Sequence, residues 1–258
     1  MRTFIAALML GTLAYSGSAV AQTAPQKPAI VLVHGAFAES SSWEPVIARL
    51  EKDGYRVIAA ANPLRSVASD AQTVSAIVQS VKGPVVLVGH SYGGPVITEA
   101  ANGNSNVKAL VYVAGFAPDI GESSFQLSAK FPGSTLGDTL TTIALPGGAQ
   151  DLYIQPAKFH AQFAADVPAG TAATMAATQR PVTLSALQEP TRTATWKTLP
   201  SWMIYGTADR NIPPAVMKFM AERAHARKTV VVDGASHALM VSHPQEVVAL
   251  IEEAASAQ

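Results

Sequence analysis

Residues 89–93 read Gly-His-Ser-Tyr-Gly, with the apolar run 85–88 directly before them and a stretch of helical character, 92–101, directly after. That context constrains the fold more than any other part of the chain. A strand that turns into a helix within so few residues must hold the serine at its tip in a strained conformation, and its neighbours must lack bulky Cβ groups. Gly89, Gly93 and Gly94 meet that demand. An ordinary glycine-rich turn would need neither the strand nor the helix. The string therefore predicts a sharp turn that presents Ser91 at the end of a buried strand, in a chain where strands and helices alternate.

The rest of the sequence follows that rhythm. Residues 29–33 form a short apolar run ending in His34-Gly35, suited to a strand buried on both faces. Ser41 and Glu44 have capping-box spacing, Pro45 suits a first helical turn and Gly54 a stop, which predicts a helix over 43–53. A strand is expected over 55–60, then a helix over 69–81 with Val74, Ile77, Val78 and Val81 on one face, ended by Gly83-Pro84. Further strands are expected at 108–113, 202–205 and 229–232, and helices at 214–226 and 244–254. Continuous apolar strands alternating with helices specify an α/β fold, a mostly parallel central sheet flanked by helices.

Residues 118–195 break the pattern. They show no clear strand, are rich in Pro, Gly, Ala and Thr, and scatter the aromatics Phe125, Phe131, Tyr153, Phe159 and Phe163. Short helices over 156–165 and 170–177 favour a folded helical cap over a linker. The expected organisation is a core of 29–117 and 196–258, with the cap inserted between two of its strands.

A serine hydroxyl is a weak nucleophile until a base takes its proton, and that base must be held in one tautomer by a third group. Loops after later strands are the place to look. The run 202–205 leads into Gly206-Thr207-Ala208-Asp209, and 229–232 leads into Asp233-Gly234-Ala235-Ser236-His237. Asp209 is preferred to Asp233, which is so near the histidine in sequence that it reads as a turn residue. His237 is preferred to His243, which precedes Pro244 at a helix entry. His90 is expected to support the turn, and His160 and His225 to serve surface or packing roles. Two donors must hold a developing oxyanion: the backbone N–H of Tyr92 is one, and the loop after the first central strand offers Ala36, with Phe37 second. Phe37, Trp43 and the five cap aromatics are the expected walls of a pocket for an apolar acyl or aromatic group.

The ends and the bulk composition place limits. Arg2, the apolar stretch 4–13 and Ala19-Val20-Ala21 have the pattern of a cleaved signal peptide over 1–21, followed by a linker over 22–28. The expected location is outside the cytoplasm, periplasmic or secreted, with no stable membrane insertion after cleavage, since the apolar run is short of a spanning length. With 18 basic and 18 acidic residues, losing only Arg2 on cleavage, the chain has no charge excess to favour nucleic acid. It has no cysteine, which excludes a thiol nucleophile and disulfides, and no His, Asp or Glu spacing typical of a zinc site. Its oligomeric state is not written in the sequence.

With His34-Gly35-Ala36-Phe37, Gly89 to Gly94, Gly206 to Asp209 and Gly234 to His237 in view, the chain resembles the α/β-hydrolase superfamily over nearly its whole mature length. The start Leu32-Val33-His34-Gly35-Ala36 and the compact cap look like the branch of small-ester hydrolases that includes plant methyl-ester esterases, their hydroxynitrile lyase relatives and bacterial carboxylesterases. The resemblance implies an eight-stranded sheet, no cofactor and a small-molecule ester as substrate. Dehalogenases and epoxide hydrolases of this fold use an aspartate where this chain has Ser91. Hydroxynitrile lyases carry a threonine at the position of Gly35 and a lysine at that of Ala238, so cyanide would find no positive partner here. Cofactor-free haloperoxidases share the serine arrangement, and some plant hormone receptors of this fold bind a ligand beneath the cap without turnover.

Overall fold

The computed structural model describes residues 27–257. The expected signal peptide, and the linker as far as residue 26, lie outside the described residues. Six strands form one sheet: β1 (Ala29–Val33), β2 (Val57–Ala60), β3 (Val85–His90), β4 (Val107–Val113), β8 (Ser201–Gly206) and β9 (Lys228–Val232). Their order is β2-β1-β3-β4-β8-β9 and every neighbouring pair is parallel. The sheet is thus wholly parallel and two strands smaller than the resemblance implies, among the described residues. All residues of β1, β3 and β8 are buried, as continuous apolar runs with helices on both sides require.

Helices fill the connections: α1 (Glu44–Lys52), α2 (Val67–Ser80), α3 (Gly93–Ala100), α8 (Pro214–Arg223) and, near the end, α9 (Leu239–Ser242) and α10 (Pro244–Ser256). From β1 the chain steps outward to β2, then crosses to β3 on the other side and continues in that direction. Right-handed crossovers put α1 on one face and α2, α3 and α8 on the opposite one. The packing agrees: α1 lies against α10, and α2 against α3. The direction reverses between β1 and β3, which opens a crevice at the carboxyl ends of those two strands. Val33 pairs with Gly89, so both strands end level and their following loops meet.

Helix α1 begins differently from the sequence expectation. Residues Ser40–Trp43 form a 3-10 turn, in which Ser42 Oγ accepts the Glu39 N–H at 3.2 Å, and α1 starts at Glu44 with Pro45 in its first turn. Glu39 with Ser42 replaces Ser41 with Glu44 as the cap, because the 3-10 turn uses the chain just ahead of the helix.

Between β4 and β8 the elements are α4 (Ser124–Ser128), β5 (Leu140–Ala144), β6 (Gln150–Ile154), α5 (Pro156–Phe163), α6 (Ala169–Thr178), β7 (Val182–Thr183) and α7 (Leu184–Gln188). Helices α5 and α6 fall where the sequence places them. The three-stranded antiparallel sheet β5-β6-β7 corrects the expectation of a helical segment without strands. Its signal is weak for a physical reason. Strand β5 is largely exposed and reads Leu-Thr-Thr-Ile-Ala, while β7 is only two residues long, so neither has the apolar run or alternation that marks a strand.

Candidate active site

Ser91 stands at the turn between β3 and α3 with φ 52°, in the left-handed region. Backbone bonds hold it there: its N–H donates to the Ala114 carbonyl at 3.1 Å, and its own carbonyl accepts from Gly94 at 2.9 Å and Phe116 at 3.2 Å. The close fit extends across the crevice. A Cβ on Gly35 would fall 2.6 Å from Ser91 Cβ and 2.7 Å from the His90 carbonyl, so no larger residue fits there without a backbone shift.

Asp209 and His237 come from the loops after β8 and β9, brought level by the pairing of Gly206 with Val232. His237 Nδ1 and Asp209 Oδ2 are 2.7 Å apart, with both side chains almost completely buried. The carboxylate accepts, so the Nδ1 proton points at it and Nε2 is the nitrogen left free. The other oxygen, Asp209 Oδ1, accepts the N–H groups of Asn211 at 2.8 Å and Ile212 at 2.9 Å. Asp233, the rival acid, instead accepts the Thr207 hydroxyl at the surface. His243, the rival base, lies 3.3 Å from Asp166 and 3.5 Å from Glu246.

Behind His237 the histidine ring of His90 sits at 4.7 Å between centroids, and His90 Nε2 lies 3.0 Å from the His237 carbonyl, to which it donates. Burial, reinforced by the neighbouring His237, holds His90 well below the ordinary histidine range, so it is a neutral prop. His34 is also lowered by burial and accepts the Asn62 N–H through Nε2. Tyr92 is anchored beneath the turn by its hydroxyl, which donates to Asp70 Oδ2 at 3.0 Å. Burial raises the Tyr92 phenol and the Asp70 carboxyl, the former further because of the adjacent Asp70 charge.

Ser91 and His237 line one cavity of about 140 Å³, together with Ala36, Phe37 and Tyr92. The N–H groups of Ala36 and Tyr92 have no acceptor among the described residues, whereas that of Phe37 donates to the Arg180 carbonyl at 3.0 Å. Phe37 is therefore a wall of the cavity and not an available oxyanion donor. Of the expected pocket aromatics, Phe37 and Phe125 line the cavity.

The other five lie elsewhere. Trp43 is fully buried, edge-on to His90 at 6.3 Å. Phe163 meets His237 edge-on at 5.0 Å and stacks on Phe159, also at 5.0 Å, both fully buried. Phe131 packs on Phe219 at 5.9 Å, and Tyr153 sits half-buried on β6 opposite Thr141. Large rings at these positions wedge the histidines and the cap in place instead of facing the cavity.

Aliphatic and small side chains make up the rest of the wall: Leu136, Leu140, Leu152, Leu184, Leu187 and Ile212, with Phe116 from the loop after β4. The spacing of Leu184 and Leu187 on one face of α7 is the only local sign of this role in the sequence. Among the described residues, no three His, Asp or Glu side chains come together in a group that could hold a metal ion, and no helix is long and apolar enough to cross a membrane.

Residues 30–250 match the profile of the Alpha/beta hydrolase family. The chain is 26% identical over 249 residues to the alpha/beta hydrolase nvfD of Aspergillus novofumigatus, covering 89% of this chain and 97% of that protein. It is also 33% identical over 113 residues to a carbendazim hydrolyzing esterase of Nocardioides sp., covering 39% of this chain and 47% of that one. Among solved structures, polyneuridine aldehyde esterase superposes with a TM-score of 0.77 at 20% identity, over 88% of this chain and 99% of its own. The pyrethroid hydrolase PytH does so with 0.70 at 22%, over 89% and 98%. The parallel sheet, the turn at Ser91 and the profile match over most of the length agree: this chain belongs to the alpha/beta hydrolase family.

Proposed function

We propose that the protein is an exported serine hydrolase that cleaves small carboxylic esters through an acyl-enzyme. The observation that carries the reading is that Ser91 and His237 open on one largely apolar cavity while His237 Nδ1 is fixed on Asp209 at 2.7 Å. Ser91 Oγ attacks the ester carbonyl carbon and its proton passes to His237 Nε2. The carbonyl π pair moves onto oxygen, where the N–H groups of Ala36 and Tyr92 hold the charge in a site that needs no reorganisation. Collapse breaks the bond to the alcohol oxygen, which leaves with the proton from His237. Water then repeats the sequence on the acyl-enzyme, releasing the acid and restoring Ser91. Asp209 accepts the Nδ1 proton's hydrogen bond throughout and keeps the imidazole oriented.

Similarity to proteins named as esterases supports the ester class. Gly35 and Ala238 stand where hydroxynitrile lyases carry threonine and lysine, which argues against lyase chemistry of that type, since cyanide would find no positive partner. Fluorophosphonate labelling followed by peptide mapping, with p-nitrophenyl acetate turnover, tests the reading. Label on Ser91 with turnover is expected. Absence of both would leave a ligand-binding protein on the same fold.

A further inference from the structure

The two oxygens of Asp209 have separate partners. Oδ2 meets His237 Nδ1 at 2.7 Å, and Oδ1 accepts the N–H groups of Asn211 at 2.8 Å and Ile212 at 2.9 Å. Both side chains of the Asp209–His237 pair are almost completely buried, so the protein alone decides where the carboxylate points. Whatever fixes the peptide groups of this loop therefore fixes the histidine as well.

The Asn211 N–H and the Arg210 carbonyl belong to one planar, trans peptide group and point in opposite directions. On the carbonyl side stands Gln162, from α5 of the insertion. Its Nε2 donates to the Arg210 carbonyl at 2.9 Å and to Asn211 Oδ1 at 2.8 Å, while its Oε1 accepts the Thr135 hydroxyl at 2.8 Å. A backbone carbonyl can only accept, which identifies that end of the Gln162 amide as nitrogen. Gln162 is 4% exposed, and turning its amide over would face oxygen to oxygen, so one orientation is fixed. The Thr135 N–H adds a second donor to the Arg210 carbonyl at 3.0 Å. A continuous path results, from Gln162 through a single peptide group to Asp209 Oδ1, with Asp209 Oδ2 on His237. Bonds in such a chain polarise one another in a buried site. The same stretch of the insertion also reaches the base loop: the Phe163 ring meets His237 edge-on at 5.0 Å, and the Ser236 hydroxyl donates to Asp166.

We infer that Gln162 is a positioning residue for the reaction, acting through the Arg210–Asn211 peptide to aim the Asp209 carboxylate at His237. It touches no reacting atom. The insertion then sets the rate of the chemical step as well as walling the cavity. The inference rests on the proposed hydrolase reading.

The test starts from Gln162→Met, which keeps the unbranched shape and removes the donors. The rate of Ser91 labelling by a fluorophosphonate and kcat/KM for p-nitrophenyl acetate are measured for the wild type, Gln162→Met, Asp209→Asn and the double variant. Gln162→Met alone is expected to lower both rates about 10- to 100-fold, the scale of a small misplacement of a catalytic group. In the Asp209→Asn background it should cost less than about threefold, because the group it acts through is already gone. An equal loss in both backgrounds, as general loosening of the insertion would give, overturns the role. So does a wild-type rate in Gln162→Met. If Gln162→Met fails to fold, the exposed Thr135→Val, which frees the other end of the Gln162 amide, goes through the same cycle. A loss confined to the background that retains Asp209 supports the role; no loss, or an equal loss, overturns it.

A second readout needs no turnover. The proton on His237 Nδ1, buried against Asp209, gives a low-field NMR resonance in protein carrying isotope-labelled histidine, assigned by its loss in His237→Gln. Gln162→Met, or Thr135→Val in its place, should shift or broaden it. An unchanged resonance, or none in the wild type, overturns the positioning role. If the wild type shows neither turnover nor labelling, the hydrolase reading falls, and this resonance then decides by itself whether Gln162 orients the Asp209–His237 pair.

Discussion

On the proposed reading, a single oxygen at Ser91 separates an active protein from an inert one of nearly the same volume. Ser91→Ala should lower kcat/KM for p-nitrophenyl acetate by about 10⁴-fold or more while leaving the melting temperature unchanged; near wild-type turnover would dismiss the assignment. Asp209→Asn should cost about 10⁴-fold, because an amide no longer fixes the His237 tautomer. The buried histidines make a different demand. His90 and His34 are held below their unfolded value of about 6.5 by burial, so the unfolded chain binds more protons than the folded one as pH falls through that range. Their contribution is fully present above about pH 6.5 and declines toward acid, by at most about 1.4 kcal/mol per pH unit for each histidine. Urea unfolding between pH 5 and 8 should show this slope, and His90→Gln, which keeps a donor for the His237 carbonyl, should flatten it. An equal slope in the variant would assign the acid sensitivity elsewhere. Strand context in the sequence was enough to single out Ser91, Asp209 and His237 as neighbours on strand-end loops, since each follows a recognisable apolar run. The engagement of the Phe37 N–H by Arg180 was invisible, because the partner lies far along the chain in the cap.

The elements between β4 and β8 divide their aromatic residues into two kinds, and substitution separates them. Phe125 is 52% exposed and lines the cavity, so Phe125→Ala should alter discrimination between short and long acyl esters by about 1–3 kcal/mol with little change in melting temperature. Phe163 is fully buried against His237 and Phe159, so Phe163→Ala should cost about 3–5 kcal/mol of stability and lower turnover of all esters alike. Paired measurements of melting temperature and of kcat/KM for acetate and octanoate esters check both; a changed acyl preference in Phe163→Ala without destabilisation would reverse the assignment. The sequence showed that 118–195 carries large apolar rings, and helices α5 and α6 were legible from their spacing. Which rings face the cavity was not, since side-chain direction in short elements depends on how they dock. The sheet β5-β6-β7 was hidden for two reasons: β5 is largely exposed and lacks alternation, and Asp151 pairs with Thr183 across a gap that no local pattern records.

For the molecule as a whole, the proposed export predicts a mature chain beginning near Gln22. Expression with residues 1–21 in a host that processes such leaders, followed by intact-mass measurement of the protein recovered outside the cytoplasm, should show their loss; an uncleaved, cytoplasmic product would refute it. The alternation of buried runs and helices by itself determined the α/β class, the position of the Ser91 turn and the order in which acid and base follow it. These depend on local spacing: a parallel strand buried on both faces must be apolar throughout, and a turn from strand to helix must be tight. Tertiary structure alone decided the number of strands, the engagement of the Phe37 N–H by Arg180, the joining of β7 to β6 in the insertion, and the leucine wall of the cavity. Each of these is a contact between segments far apart in the chain, whose geometry is set when the elements pack and so leaves no periodicity in the sequence.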